Sequence, residues 1–318
     1  MNIAFHCADA YFNNNRMFEN ENVSIGDSLL YPLILFKEMA NSMGHRCDTL
    51  DRYSHPDEVD VLFLSDARSG DSAIRYPMRA RKFLLTFESP IWNGYTHNIG
   101  ELHHEWFEKV FTYRTDILKK IPNGVQVFLP NKWRITEKFN AIRKTRFMCA
   151  IFGNKQNDSS LFPTLYTKRM QDIFWLGNNY NKFHLYGQGW EKENFPFYQG
   201  PVERKIDVLS KYRFALAYEN CICPGYISEK IIDCLLSLTI PLYKGAPDVL
   251  DYIPKECFID LNKFSVDDVV SDLAFMSNDE YNRKIDAIFE WVAGRGKIFS
   301  AENWVNTIAR ECELWGGN

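Results

Sequence analysis

The residues of this sequence that are best suited to chemistry lie within residues 211–247, between a predicted strand and a predicted helix. The strand spans residues 214–218, and Ser228 is a favourable N-cap for the helix that follows. The carboxyl end of the strand and the amino end of the helix therefore face one crevice, where open α/β sheets bind ligands. The sequence thus predicts a binding site in this segment.

Charged side chains open this helix, because Glu229 and Lys230 directly follow its N-cap. Backbone N–H groups and the helix dipole favour an anion at this end, and a lysine in the first turn adds a full positive charge. This combination suits a diphosphate held by Lys230, with Glu229 beside it to accept a ribose hydroxyl. The alternative is structural: Ser228 caps the helix, the two charged residues form a solvated first turn, and Asn220 bonds the backbone of the turn.

Short apolar strands alternate with helical patterns along the chain, and this order predicts parallel sheets covered by helices. In the first half, strands are predicted at residues 1–6, 46–50, 59–64, 83–86 and 110–113. The pattern restarts near residue 146, with strands predicted at residues 147–152, 183–186, 214–218, 239–243 and 257–261. Two such halves fit two Rossmann-like domains with a cleft between them. We predict domains over residues 1–145 and 146–318, with a basic connection at residues 130–146.

The composition excludes several classes of protein. The 318 residues include 37 Lys and Arg against 41 Asp and Glu, and this net charge of −4 argues against general nucleic-acid binding. A hydrophobic share of 46% is typical of a globular protein rather than a disordered or fibrous one. The 8 cysteines are scattered, and the pair Cys221 and Cys223 has no second pair at zinc-site spacing. We therefore expect free thiols and no metal site.

The sequence predicts neither a membrane span nor a signal peptide, and hence a cytoplasmic protein. The longest apolar stretch near the start, residues 29–36, contains Pro32 and is shorter than the roughly 20 residues that a span needs. Residues 301–315 have apolar side chains at near-helical spacing and form a short segment that is not basic. We expect this last helix to pack on the body of the protein, with the first domain as one partner. Peripheral contact with the inner face of a membrane is the alternative.

The ordered motifs of residues 211–247 resemble the signature of glycosyltransferase family 10, the α-1,3/4-fucosyltransferases. The matching residues are Tyr218-Glu219-Asn220, Tyr226-Ile227-Ser228-Glu229-Lys230, Ile240-Pro241-Leu242-Tyr243 and Gly245-Ala246-Pro247. Elsewhere, Phe87-Glu88-Ser89-Pro90, Thr112-Tyr113-Arg114-Thr115-Asp116 and Gly153-Asn154 with Arg169 look like further motifs of the family. The last of these has glycine where the family usually has serine, and a longer spacing to the arginine. The resemblance covers roughly residues 80–265.

This resemblance, closest to the bacterial members, implies a fold of the GT-B type: α/β, with two Rossmann-like domains that face each other across a cleft. It implies transfer of fucose from GDP-fucose, with inversion at the anomeric carbon, to a 3- or 4-hydroxyl of a glycan acceptor. The expected acceptor is a surface polysaccharide or lipopolysaccharide, bound by the first domain, while the second binds the donor. By position, Glu88 is the candidate general base for the attacking hydroxyl.

The leaving GDP gains negative charge, which either a metal or basic side chains must stabilise. Because no D-x-D motif is placed to hold a metal, we expect Lys230 and Arg169 to supply the positive charge, with no cofactor besides the donor. Tyr186 and Gly187 end a predicted strand and could contact the guanine, although a structural role for this strand end is the alternative. The remaining candidate donor-binding residues are Asn154, Asn220, Tyr226 and Glu229.

Two other functions stay open at the level of the sequence. The same fold and mechanism could use a different GDP-linked sugar, or the chain could be a nucleotide-sugar or glycan-binding relative without catalysis. The presence of Glu88 together with Lys230 speaks against the second option. A Rossmann dehydrogenase is disfavoured, because no G-x-G-x-x-G turn follows the first strand. His103 and His104, in a predicted helix near Trp106, could line the acceptor side.

Overall fold

The computed structural model describes residues 1–21, 28–75, 79–98, 100–134, 144–157 and 162–315. The chain forms two compact units: unit 1 consists of Met1–Lys132 and Ile298–Asn318, and unit 2 consists of Trp133–Lys297. Most of the predicted connection, residues 135–143, lies outside the described residues. The domain boundary after residue 145 stays a prediction.

Unit 1 contains a six-stranded parallel sheet. Its strands are β1 (Asn2–Cys7), β2 (Arg46–Thr49), β3 (Val61–Ser65), β4 (Arg81–Leu85), β5 (Lys109–Thr112) and β6 (Gly124–Gln126). The order across the sheet is β2-β1-β3-β4-β5-β6. Because Ser65 pairs with Leu85 at the carboxyl ends of β3 and β4, the loops that follow these two strands are neighbours.

Unit 2 contains a five-stranded sheet in which all paired strands are again parallel. Its strands are β7 (Arg146–Ile151), β8 (Phe183–Tyr186), β9 (Tyr212–Tyr218), β10 (Ile240–Lys244) and β11 (Ile259–Asp260). The order is β11-β10-β9-β7-β8, so β9 is a central strand. A central strand is covered on both faces, which explains why residues 214–218 are buried without interruption.

Helices flank both sheets. Those of unit 1 are α1 (Tyr31–Ser42), α2 (Ser72–Arg75), α3 (Thr115–Leu118) and the last helix of the chain, α9 (Ala301–Glu311). Those of unit 2 are α4 (Tyr166–Asn179), α5 (Lys205–Leu209), α6 (Glu229–Leu236), α7 (Val266–Ala274) and α8 (Asn278–Ala293). The last helix packs against α1, within unit 1. In the described part of the chain, no helix has the length and apolar character needed to span a membrane.

Successive residues of the strands in unit 1 point alternately into two apolar cores. Phe5 and Phe63 lie in the core that α1 and α9 cover, where they pack with Val305 of the last helix. Leu62 and Leu64 lie in the core on the opposite face, with α2 and the loops before β5. Both faces of the sheet are therefore buried, as the apolar run of residues 59–64, broken only by Asp60, predicts.

The predicted fold class is confirmed: both units are α/β and Rossmann-like, each with a parallel sheet. The differences are local. The helix predicted around His103 and His104 is only a short 3₁₀ turn, His104–Trp106, because the segment is too short for an apolar stripe to stabilise a longer helix. The short strand β6, which pairs with the edge of β5, has no counterpart among the predicted strands.

Candidate functional site

A fully buried carboxylate connects β9 to α6. Glu219 directly follows β9, and one of its oxygens accepts the backbone N–H of Ser228 at 2.8 Å while the other accepts the Ser228 hydroxyl at 2.6 Å. Ser228 is the N-cap of α6, as its position predicts, and its hydroxyl oxygen accepts the N–H of Lys230. Burial raises the pKa of Glu219, although the Lys230 ammonium opposes this shift. The carboxylate thus fixes the start of α6 against the end of the central strand.

Lys230 lies among three polar partners in the first turn of α6. Its Nζ is 3.2 Å from the Ser228 hydroxyl, 3.3 Å from Oε1 of Glu229 and 3.7 Å from Oε2 of Glu219. Burial would lower the pKa of the Lys230 ammonium, but the negative charges of Glu229 and Glu219 outweigh burial and raise it. The side chain is therefore a positive charge at neutral pH.

Glu229 is held ionised by two lysines. Burial would raise the pKa of its carboxyl, but Lys230 and Lys205 overcome burial and lower the pKa to about 2. Lys205 opens α5 and lies 3.7 Å from Glu229 and 3.1 Å from Asp233 of α6. Because 41% of the Glu229 side chain stays exposed, this carboxylate can still accept hydrogen bonds from a ligand.

Arg169 of α4 is a buried cation between two aromatic rings. Its guanidinium carbon is 4.6 Å from the ring centre of Phe152 and 4.5 Å from that of Tyr166. Burial lowers its pKa to about 10, so it is still charged at neutral pH. No described residue forms an ion pair with Arg169. Because aromatic rings stack on the plane of its guanidinium, polar partners can reach the group only at its edge, where the N–H groups lie. Such a desolvated cation suits an incoming anion.

The structure brings most of the predicted donor-binding residues together. The charge of Arg169 opposes the upward shift of the Lys230 pKa, so the two cations are within electrostatic range. Tyr226 and Glu219 raise the pKa of Arg169 against the effect of burial, so both also lie near it. The amide of Asn220 donates to the Tyr226 hydroxyl at 3.3 Å, within the loop that joins β9 to α6. This group of Arg169, Asn220, Tyr226, Glu229 and Lys230 is called the cation cluster below.

Asn154 and Gly187 lie on two loops of unit 2 that contact each other. The Asn154 side chain donates to the carbonyl of Gly189 at 3.0 Å and its backbone N–H to that of Gln188 at 2.9 Å. Gly187 has a φ of +123°, and a Cβ added there would lie 2.0 Å from the carbonyl oxygen of Phe152. Only glycine therefore permits this close approach of the two loops.

The hydroxyl of Tyr186 bonds residues outside the cation cluster. That group accepts a hydrogen bond from Arg146 at 3.0 Å and lies 2.9 Å from the Tyr212 hydroxyl. Arg146 and Tyr212 are the first residues of β7 and β9, and their side chains engage this hydroxyl. Tyr186 itself ends β8, at the carboxyl end where parallel sheets bind ligands, and its contact with the guanine stays a prediction.

In unit 1, Glu88 follows β4 and its side chain is exposed. One of its oxygens accepts the backbone N–H of Ser89 at 2.9 Å. Its own N–H donates at 2.9 Å to Asp66, which follows β3. Burial, and to a smaller degree the charge of Glu88, raise the pKa of Asp66 to about 7. Two acidic residues thus lie next to each other where the inner strands β3 and β4 end.

Unit 1 also contains a polar cavity of about 290 Å³. Its lining is formed by Ser69, Gly70, Asp71, Ile74, Tyr95, Gly100, Glu101, His103 and Trp106. The rings of His103 and Trp106 stack with centres 4.2 Å apart, and His6 holds Asp71 through both carboxylate oxygens at 3.1 Å. The volume is at the lower end of the range for small-ligand pockets.

The charged residues Glu219, Lys205 and Asp66, which hold these sites, were not predicted as functional. A carboxylate next to a central apolar strand is costly to bury, and this was the available signal for Glu219 and for Asp66. Lys205 has no such local signal, because its partners Glu229 and Asp233 are distant in sequence.

Comparison with known proteins places this chain among glycosyltransferases. The model of the C-terminal part of glycosyltransferase family 10 (fucosyltransferase) matches residues 135–314, more than half of the chain. The α-(1,3)-fucosyltransferase fut-5 of Caenorhabditis elegans is 28% identical over 194 residues, which are 57% of this chain and 47% of that protein. The α-(1,3)-fucosyltransferase FucT of Helicobacter pylori is 38% identical over 90 residues, 28% of this chain and 19% of that protein. The chain thus spans about half or less of these relatives.

Solved structures are similar over nearly the whole chain. A crystal structure of an α1,3-fucosyltransferase matches with a TM-score of 0.62 and 17% identity, covering 98% of this chain and 90% of that chain. An α1,3-fucosyltransferase with GDP-fucose matches with a TM-score of 0.59 and 16% identity, covering 100% and 91%. At these identities the matches show the fold, which is of the GT-B type.

Gly187→Ala is expected to lower the free energy of unfolding by about 1–3 kcal/mol more than Gly200→Ala, because only the first change forces a Cβ into a backbone oxygen. Gly200 is a matched control: its φ is +122°, and an added Cβ would meet nothing within 4 Å. Urea unfolding of the two variants measures the difference. Equal destabilisation would show that the close approach at Gly187 is not a packing constraint.

Proposed function

This chain belongs to glycosyltransferase family 10, and we propose that it transfers fucose from GDP-fucose to a hydroxyl group of a glycan. The observation that carries this proposal is the cation cluster, with Arg169 and Lys230 beside the amino end of α6. A sugar nucleotide releases a diphosphate whose negative charge grows as the glycosidic bond breaks. Two cations and a helix amino end are what this leaving group requires.

The two cations have different tasks in this proposal. Arg169 is oriented by the rings of Phe152 and Tyr166, so its N–H groups can contact phosphate oxygens in a bidentate manner. An anion that binds there also offsets the cost of burying an unpaired guanidinium. Lys230, kept charged by Glu219 and Glu229, acts as a point charge at the amino end of α6.

The nucleoside is proposed to bind around the same cluster. The ionised, partly exposed carboxylate of Glu229 accepts a ribose hydroxyl, while Tyr226 and Asn220 line the site from the loop before α6. Asn154 and Gly187 contribute from the neighbouring loops. Tyr186 contacts the guanine through its ring only, because Arg146 engages its hydroxyl.

Glu88 is proposed as the general base. Its exposed carboxylate takes the proton of the acceptor hydroxyl while that oxygen attacks the anomeric carbon of fucose. Attack from the face opposite the departing GDP inverts the anomeric centre. The new bond joins the acceptor oxygen to the sugar, the bond to the diphosphate oxygen breaks, and the diphosphate keeps the electron pair.

The cavity of unit 1 is proposed to hold one sugar residue of the acceptor. Aromatic rings such as Trp106 and Tyr95 pack against the C–H faces of sugars, and Asp71 and Glu101 can accept hydrogen bonds from hydroxyls. His6 fixes the orientation of Asp71. Because the lining carries carboxylates, we propose a neutral sugar rather than one with an acidic group.

Four finer points belong to this proposal. A different GDP-linked sugar would use the same nucleotide contacts, so the sugar itself must be tested. The surface glycan as acceptor, the cytoplasmic location and peripheral membrane contact stay predictions.

Calorimetry is expected to show tighter binding of GDP and GDP-fucose than of GDP-mannose or UDP-glucose, with and without EDTA. Arg169→Lys is expected to weaken GDP binding roughly tenfold or more, because lysine cannot reproduce the stacked bidentate contact. Lys263→Met, a change at an exposed lysine of the same unit, is the control and should have no effect.

Each other outcome of this titration has a definite meaning. Guanine nucleotide binding without preference for fucose would favour another donor sugar. Binding that requires a divalent metal would contradict charge compensation by Arg169 and Lys230. A chain that binds no nucleotide would not be a sugar transferase.

Glu88→Gln is expected to reduce fucose transfer at least about 100-fold while the affinity for GDP-fucose stays within twofold, because the base acts only on the acceptor hydroxyl. The release of GDP from GDP-fucose, with lactose as the acceptor, measures turnover. A Glu88→Gln variant with full turnover would remove this residue as the base.

Trp106→Ala is expected to abolish saturation-transfer NMR signals from lactose and to leave GDP binding unchanged, because it removes an aromatic surface of the cavity. Trp92→Ala removes a comparably exposed tryptophan of unit 1 that does not line the cavity, and should retain the signals. Stronger signals from 3′-sialyllactose than from lactose would contradict the proposed neutral sugar.

A further inference from the structure

Asp66 binds the loop that carries Glu88. Its Oδ1 accepts the backbone N–H groups of both Phe87 and Glu88, each at 2.9 Å. These contacts are possible because β3 and β4 are paired neighbours and Asp66 begins the loop after β3. One carboxylate oxygen therefore fixes two successive peptide groups of the adjacent loop.

The conformation of Asp66 is costly, and other side chains maintain it. Its φ of +47° is in the left-handed region, which residues other than glycine seldom adopt. The buried Asn93 side chain donates to the carbonyl of Asp66 at 2.9 Å and to that of Ala67 at 3.1 Å. Strained residues held by such support cluster at functional sites, so the strain calls for a functional reason.

A second group of buried side chains holds the other end of the Glu88 peptide unit. The Glu88 carbonyl accepts the Tyr113 hydroxyl at 2.7 Å and lies 2.9 Å from Nε2 of His97. Burial and the charge of Arg114 lower the pKa of His97 to about 3, so the imidazole is neutral. Arg114 lies 3.2 Å from Nδ1, which must accept, and Nε2 therefore donates to Glu88. Asp116 holds Arg114 through two hydrogen bonds.

The backbone and the side chain of Glu88 thus have opposite environments. Its N–H and its carbonyl are both held by buried or strained groups, whereas its carboxylate is exposed and bonds only the N–H of the next residue among the described hydrogen bonds. An exposed loop residue needs no such support for the stability of the fold. A reacting carboxylate does, since its position must be kept within a fraction of an ångström.

We propose that Asp66 is a positioning residue that sets the backbone of Glu88 and, through it, the position of the catalytic carboxylate. This inference rests on the proposed role of Glu88 as the general base. Asp66 does not touch substrate in this proposal.

The ionisation of Asp66 gives this role a measurable signature. Its pKa of about 7 reflects burial first, then the opposing N–H donors and the charges of Glu88 and Arg68. The Cys7 thiol of β1 also faces it and stays neutral, because burial raises its pKa to about 11. As the pH falls through 7, Asp66 takes up a proton and becomes a weaker acceptor for the two N–H groups. Turnover should therefore fall on the acid side near pH 7.

Three variants test the proposal by the release of GDP from GDP-fucose, with lactose and with water as acceptors. Asp66→Ala is expected to lower kcat roughly 10- to 100-fold, with the KM for GDP-fucose within twofold. Asp66→Asn keeps an acceptor oxygen without a titrating group, so it should recover part of kcat and lose the fall near pH 7. Asp51→Ala also removes an acceptor for a backbone N–H in unit 1, that of Asn14, and should leave kcat unchanged.

A readout independent of activity accompanies these assays. Hydrogen exchange of the Glu88 amide should accelerate in Asp66→Ala and change less in Asp66→Asn. Since the folded state binds more protons at Asp66 than the unfolded state between pH 4 and 7, its charge destabilises the fold above pH 7. Asp66→Asn should therefore melt at a higher temperature than the unchanged protein at pH 8, which also keeps the test valid if Asp66→Ala fails to fold.

Wild-type kcat and an unchanged pH profile in both Asp66 variants would overturn this inference. A loss of turnover confined to Glu88→Gln would show that Glu88 acts as the base without help from Asp66. Full turnover in Glu88→Gln would instead remove the base on which the inference depends. If the unchanged protein releases no GDP, the proposed function fails, and unaltered exchange of the Glu88 amide in Asp66→Ala would separately refute the positioning role.

Discussion

The candidate donor site depends on one buried carboxylate, that of Glu219. A carboxylate without solvent must be compensated by hydrogen bonds and an opposite charge, and Ser228 and Lys230 provide both. This requirement fixes the start of α6 relative to the end of β9, and with it the direction in which Lys230 and Glu229 project. It also explains Gly245, where an added Cβ would lie 2.4 Å from the Glu219 side chain.

In both units, a carboxylate fixes the loop that carries a candidate functional residue. In each, an acidic residue directly follows a strand of a parallel sheet and accepts backbone N–H groups from the loop that carries the candidate functional residue. Glu219 holds the turn before Lys230, and Asp66 holds the loop with Glu88. The difference lies in compensation, because Glu219 faces a lysine, whereas Asp66 lies next to another carboxylate and has a pKa near neutrality.

The sequence indicates those features that adjacent residues determine. The positions of most strands along the chain, the N-cap at Ser228 and the charged first turn of α6 follow from periodicity and capping chemistry. The hydrogen bonds of Asp66 to residue 88 and the engagement of Tyr186 by Arg146 join positions 22 and 40 residues apart. Such pairs depend on which strands become neighbours and on which way a side chain turns along the sheet, and local patterns contain neither.

Because the chain returns to unit 1 after unit 2, the unit that is translated first is the last to have all of its residues. Unit 2 is one continuous segment inserted between the two parts of unit 1, and α9 completes the core around Phe5 and Phe63. During synthesis, the strands of unit 1 are translated before α9, which covers one face of their sheet together with α1. Unit 2 has all of its residues by then. The first sheet to be translated is therefore the last to receive all of its covering helices, and until then its aromatic core lacks the side chains of α9.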